Sequence, residues 1–121
     1  MSYTGWLLAE DDRAKLLQKF PPHYHDIIAH HITLRMGEHE LPLETAGEVV
    51  GVSDDGKGCQ VLVVSINGTT TRPNGDVYHC TWSIDRDNLN RKPHHSKDVL
   101  KELGWVSVSP IPIKLTPMVF K

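Results

Sequence analysis

Most apolar residues of this chain fall in short strand-like runs separated by clusters of Gly, Pro, Asn and Asp, and only two stretches carry a helical spacing. Residues 4–9 read as a first strand. Asp11 or Asp12 can then cap a helix running to about Lys19, with Leu16, Leu17 and Phe20 on its apolar side, and Pro21-Pro22 ends it. Residues 23–26 form a link, 28–36 a second strand, and 37–43 a polar loop. Residues 46–53 and 60–66 read as two strands joined by Asp54-Asp55-Gly56-Lys57-Gly58, where Asp-Gly signals a hairpin. Residues 67–75 are turn-rich, and 77–84 form the next strand.

Residues 85–95 are polar and irregular. Ser96 caps a short helix in this reading, with Val99, Leu100 and Leu103 facing inward and Gly104 just past its end. Residues 105–108 and 113–120 are closing strands separated by Pro110 and Pro112, and Pro117 makes the last strand an edge. About seven strands and two widely spaced helices, without regular βα alternation, imply an α+β domain with antiparallel sheet. The 121 residues suit one domain over the whole of 1–121, with a single modest core.

Charge narrows the partners. The net charge of −2 offers no broad basic surface, which argues against tight binding to long duplex nucleic acid. A small nucleotide or an RNA end remains compatible. Eight histidines are many for this length, and they can turn a near-neutral cleft positive as the pH falls. Cys59 and Cys80 lie in apolar runs, outside any Cys-x-x-Cys, and read as buried thiols of a reducing compartment. The first residues lack a basic n-region, and no run of about 18 apolar residues is present, so a cytoplasmic protein without a membrane span is expected.

The chemistry concentrates in two short segments, His30-His31-Ile32-Thr33-Leu34 and Tyr78-His79-Cys80-Thr81-Trp82-Ser83-Ile84. Each holds a His-x-Thr triplet in strand context. Side chains at i and i+2 share a strand face, so His31 lies with Thr33, and His79 with Thr81 and Ser83. Ile32 and Leu34 oppose the first pair; Cys80, Trp82 and Ile84 oppose the second. His30 points away from His31 in this pattern. Two imidazoles with flanking hydroxyls on one polar face supply an acid, a base and phosphate-oxygen donors without a metal.

The paired triplets, 48 residues apart, resemble the 2H phosphoesterase superfamily. The likeness is closer to its cyclic phosphodiesterase branch, found in RNA-repair and tRNA-ligase proteins and in small phage or bacterial relatives. It extends more weakly to residues 3–20 and to Lys92-Pro93-His94-His95-Ser96 with its following helix. Two features depart from the family: the chain is short, and Cys80 stands where an aliphatic residue is more usual.

The resemblance implies a compact two-lobed domain of antiparallel sheets around a central cleft. It implies catalysis by His31 and His79, one as general base and one as general acid, with Thr33 and Thr81 binding the substrate phosphate. No metal and no cofactor is implied. The substrate class would be a 2′,3′-cyclic phosphate of a nucleotide or RNA end. A phage-type enzyme degrading cyclic (oligo)nucleotide signals and a non-catalytic nucleotide-binding module are the alternatives.

The other histidines, His23, His25, His94 and His95, show no recognisable metal-ligand spacing with Cys or carboxylates. His94, His95 or Ser96 can reach a phosphate at a helix N-terminus. Tyr3, Trp6, Tyr78, Trp82 and Trp105 are candidates to stack on a base, with Trp82 assigned to the core.

Overall fold

Alternating apolar and polar residues build one antiparallel sheet. A computed structural model describes residues 2–121. In chain order its elements are β1 (Tyr3–Leu8), α1 (Glu10–Lys19), β2 (Asp26–Ile27), β3 (His31–Met36), β4 (Ala46–Asp54), β5 (Cys59–Ser65), β6 (His79–Ile84), a 3-10 turn (Pro93–His95), α2 (Ser96–Leu103) and β7 (Val106–Phe120). The strands follow the order β2-β6-β5-β4-β7-β1-β3, and each pairing is antiparallel. The α+β class therefore holds, in a single sheet of seven strands.

The two ends of that order, β2 and β3, are consecutive in the chain and separated only by residues 28–30. The sheet must curl until its ends meet. Backbone hydrogen bonds make the join: the Ile28 and Ala29 amides donate to the Trp82 and Thr81 carbonyls at 3.0 Å, and the Leu8 amide donates to the His30 carbonyl at 3.0 Å. The sheet thus closes on itself as a barrel.

Trp6, Ile32, Leu62, Val64, Cys80 and Trp82 belong to the main buried core, and Leu16 of α1 joins them. The two buried indoles keep their N–H groups satisfied, Trp6 by the Glu44 carbonyl and Trp82 by the Phe20 carbonyl. Val99 and Leu100 of α2 pack against Cys59, Val61, Val63 and Ile84 to make a second cluster. Leu103, expected to face inward, is 59% exposed. Both cysteines are free and buried.

The strand expected over 28–36 is broken at Ala29, which adopts φ 44° and is fully buried. The strand itself begins only at His31, while β2, Asp26–Ile27, forms ahead of the expected start, and the kink between them lets one chain segment serve both ends of the sheet. The helix ends also differ from expectation. Ala9, not Asp11 or Asp12, caps α1; both aspartates lie in its first turn, where they complement the helix dipole. The Asp12 carboxylate accepts the Lys114 amide at 2.7 Å. Ser96 is the first residue of α2 rather than its cap, because the Pro93–His95 turn leads directly into the helix.

The expected pair of closing strands is one long strand, β7, lying inside the sheet. Its first part pairs with β4 and its second with β1. Three prolines fit because each half has a partner on one side only. The Leu115 amide donates to Thr45, before β4, whereas the Lys114 amide donates to Asp12 on the other side. By alternation, the missing N–H of Pro112 would point away from β4, and that of Pro117 away from β1. Pro110 falls in the register irregularity between the pairs Val49–Ile111 and Gly51–Ser107, where no ladder bond is needed.

Candidate active site

The kink at Ala29 sets the site. Strand β2 pairs with β6 through Asp26–Ile84 and Ile27–Ser83, and the Ile28 and Ala29 bonds continue the same register to Trp82 and Thr81. Continued two residues further, that register would bring His31 level with His79. The chain there turns away to pair with β1, as Leu7–His31 and Gly5–Thr33. His31 and His79 therefore stand on neighbouring strands at the point where those strands begin to part.

Both triplets keep their core-facing neighbours. Ile32, Cys80 and Trp82 are buried inside, and His79 and Thr81 lie on the side covered by α2. Beyond Trp82 the expected alternation fails. A register shift between Gln60 and Val61 moves Ile84 into the cluster beneath α2 and turns Ser83 to the Gln60 side chain, at 2.6 Å. Ser83 is thus not a third polar group beside His79 and Thr81.

His30 also departs from expectation. Positive φ at Ala29 interrupts strict alternation, so His30 does not point away from His31: their Nδ1 atoms are 3.1 Å apart, with one ring donating and the other accepting. The Arg13 side chain holds the kink by donating from Nε to the Ala29 carbonyl at 2.8 Å.

The two imidazoles occupy different surroundings. His31 packs against Tyr3 and Phe120, with ring centroids 5.0 and 5.1 Å away. Burial, followed by the charges of His30 and His79, pushes its pKa down to about 4. His79 is also pushed below the usual histidine value, chiefly by burial. Its Nδ1 donates to the Val77 carbonyl at 2.7 Å, a bond that favours the protonated ring but does not offset the burial. A carbonyl can only accept, so the neutral ring carries its proton on Nδ1 and presents a bare Nε2.

His79 lines a cavity of about 80 Å³ with Lys97 and Lys101 of α2 and the Gly75-Asp76-Val77 segment. That space holds roughly two or three waters, the scale of a phosphoryl group rather than a nucleoside. A larger cleft of about 670 Å³ is lined by Leu34, Arg35, Asn67, Thr69 and Tyr78, among others, but by none of the four triplet His and Thr side chains.

The two threonines are not equivalent. Thr33 is half-buried beside His31. Thr81 is 8% exposed, and its hydroxyl is engaged: it donates to the Pro93 carbonyl at 3.2 Å and shares a 2.8 Å hydrogen bond with Ser96. Ser96 is buried by that contact and does not offer a helix N-terminus to solvent. Among the stacking candidates, Tyr3 lies beside His31, whereas Trp6, Tyr78 and Trp82 are buried and Trp105 lies against Gly51.

Two of the remaining histidines lie in polar contacts of their own. His23 Nδ1 is 2.6 Å from the Asp54 carboxylate, and His95 Nδ1 accepts the Lys92 amide. Among the described residues, no group of three or more His, Cys, Asp or Glu side chains is arranged to hold a metal ion. Nor is any helix among them long and apolar enough to cross a membrane. The chain matches no protein-family model, no curated protein and no solved structure.

The sequence singles out the two histidines but not the cations beside His79. Lys97 and Lys101 stand four apart on a polar helix, a spacing that also describes an ordinary solvated face. Arg72 sits in a turn, where nothing in the local sequence signals burial.

Proposed function

We propose that this protein is a metal-independent phosphodiesterase that hydrolyses a cyclic phosphate, the 2′,3′-cyclic phosphate of a nucleotide or RNA end. What supports the proposal is that the β2–β6 register, continued past Ala29, leads His31 of β3 towards His79 of β6, and that the charge of His79 is felt at His31. One half of the sheet contains β3, β1 and the end of β7; the other contains the start of β7 with β4, β5, β6 and β2. Each half contributes one triplet, in keeping with the two-lobed arrangement of the 2H phosphoesterases that the sequence resembles.

In this mechanism His79 is the general base, because its Nε2 is bare and its Nδ1 proton is held by Val77. It takes a proton from water as the water oxygen attacks phosphorus. The bond from phosphorus to one ribose oxygen breaks, and His31 protonates that oxygen to leave a phosphomonoester. His31 is neutral in the free protein at pH 7, and a bound phosphate anion favours its protonated form. Lys97 and Lys101 bring positive charge to the His79 cavity. Thr33 donates to a nonbridging oxygen. Thr81 does the same once its hydroxyl turns from Pro93.

That engaged hydroxyl favours a second reading, a nucleotide-binding module without turnover. A product screen in chelator separates the two. It would span 2′,3′-cyclic nucleotides, RNA ends bearing the cyclic phosphate, and cyclic dinucleotides. Ring opening in chelator supports the phosphodiesterase. Binding without product supports the module, and turnover restored only by added metal refutes the roles assigned to both histidines.

A further inference from the structure

Beyond Ala29 the two motif strands lose their common ladder. Among the described residues, the bonds from Ile28 to Trp82 and from Ala29 to Thr81 are the last backbone hydrogen bonds between them, and β3 pairs onward with β1. His31 and His79 lie just beyond those bonds, so no backbone pairing fixes their separation.

The Arg72 side chain reaches β3 from the far side of the resulting gap. Arg72 lies in the connection between β5 and β6. Its backbone is set by a tight turn: the Arg72 amide donates to the Asp76 carbonyl at 2.7 Å, and the Gly75 amide to the Arg72 carbonyl at 2.9 Å. From there the side chain reaches β3, where Nε donates to the Leu34 carbonyl at 3.2 Å. Leu34 directly follows Thr33. The Arg72 side chain is 4% exposed, and the Asp76 carboxylate lies 3.8 Å from its Nη1, beyond hydrogen-bond length.

Burying a guanidinium costs several kcal/mol, and a well-packed apolar side chain commonly fills such a space at less cost. A charge kept there against that cost, tying β3 to the connection that leads into β6, calls for a role other than packing. We propose that Arg72 is a positioning residue of this site, its side chain replacing the missing ladder and setting the spacing of His31 and His79. The assignment rests on the phosphodiesterase reading for its catalytic consequence, but not for its geometry.

Arg72 also acts on His79 through its charge. The groups around that imidazole are Arg72 and Asp76 from the connection, Lys97 and Lys101 from α2, and His31 from β3. The Arg72 cation disfavours the His79 imidazolium, so removing it lets His79 protonate at higher pH.

Two variants of the full chain separate spacing from charge. Arg72→Met removes both, and Arg72→Lys keeps the charge while giving up the Nε contact to Leu34. For Arg72→Met we expect kcat on the cyclic phosphate to fall about 10- to 100-fold with little change in KM, the scale of misplacing a catalytic group by about an ångström. Its His79 NMR titration should move to higher pH. For Arg72→Lys, the titration should stay in place while kcat still falls, by less than in Arg72→Met.

Wild-type kcat in either folded variant overturns the proposal, as does a fall in kcat that tracks only the His79 titration. If Arg72→Met does not fold, Arg72→Lys decides through kcat. If the wild type turns over no cyclic phosphate, the phosphodiesterase reading fails, and relaxation dispersion judges Arg72 separately. Exchange broadening at residues 30–34 and 76–80 in Arg72→Lys, absent from the wild type, supports positioning; its absence refutes it.

Discussion

The Nδ1 proton of His79 is donated to the carbonyl of Val77, two residues earlier on the same chain, at 2.7 Å. This short-range bond leaves Nε2 as the basic nitrogen at the His79 cavity. An asparagine carries an amide N–H near the Nδ1 position but has no base. His79→Asn should therefore fold like the wild type and lose about 10²- to 10⁴-fold in kcat, the usual scale for removing an acid or base. Product formation and a thermal melt check this. Wild-type turnover in a folded His79→Asn would remove His79 from the chemistry.

Acid should weaken the fold through His31. Its folded pKa is about 4, below the ordinary 6.5, so the unfolded chain binds more protons between those values and stability falls as the pH drops through that window. One such shift is worth at most about 3–4 kcal/mol, present in full well above pH 6.5 and largely lost by pH 4. Urea denaturation at pH 7.5 and 4.5 should show a smaller loss in His31→Gln than in the wild type. Equal losses would show that His31 is not held neutral by the fold.

The pH dependence of kcat/KM should peak on the acid side of 6.5. That quantity reports the free protein, in which one imidazole must be protonated while the other is neutral. Both imidazoles are pushed below the ordinary histidine value. A rate profile at constant ionic strength checks the position, and a bell centred above pH 7 would contradict the two downward shifts.

The threonines should separate stability from binding. Thr81→Ala removes the partner of the buried Ser96 hydroxyl and should cost about 1–3 kcal/mol in stability. Thr33→Ala should melt within a few degrees of the wild type, and its effect should fall on turnover. Thermal melts alongside initial rates distinguish these results. A Thr33→Ala variant as unstable as Thr81→Ala would give Thr33 a structural role instead.

The two histidines were legible because a His-x-Thr triplet in strand composition reads the same at any place in a sheet. The partition of the strands was less so. Seven were expected and seven are present, but the strand expected over 28–36 begins only after Ala29, a short β2 forms ahead of it at 26–27, and the expected last two merge into β7. Nothing local marks Ala29 as the residue with φ 44°, because the need for it arises from closing the sheet. Likewise, a proline argues against a central strand only if both sides are paired at that residue. The pairing of β7 changes sides along its length, which a single sequence does not state. Arg72 was hidden for a related reason: its worth lies in a gap that exists only once β3 leaves β6 for β1.

The prolines of β7 bear on how these molecules meet one another. A strand lacking a neighbour on one side offers spare amides and carbonyls to which a foreign strand can attach, the first step towards aggregation. In β7 each half is such a strand, and Pro112 and Pro117 withhold a donor on its unpaired side. The same residues that disguise β7 as two segments therefore make a poor template for a passing chain.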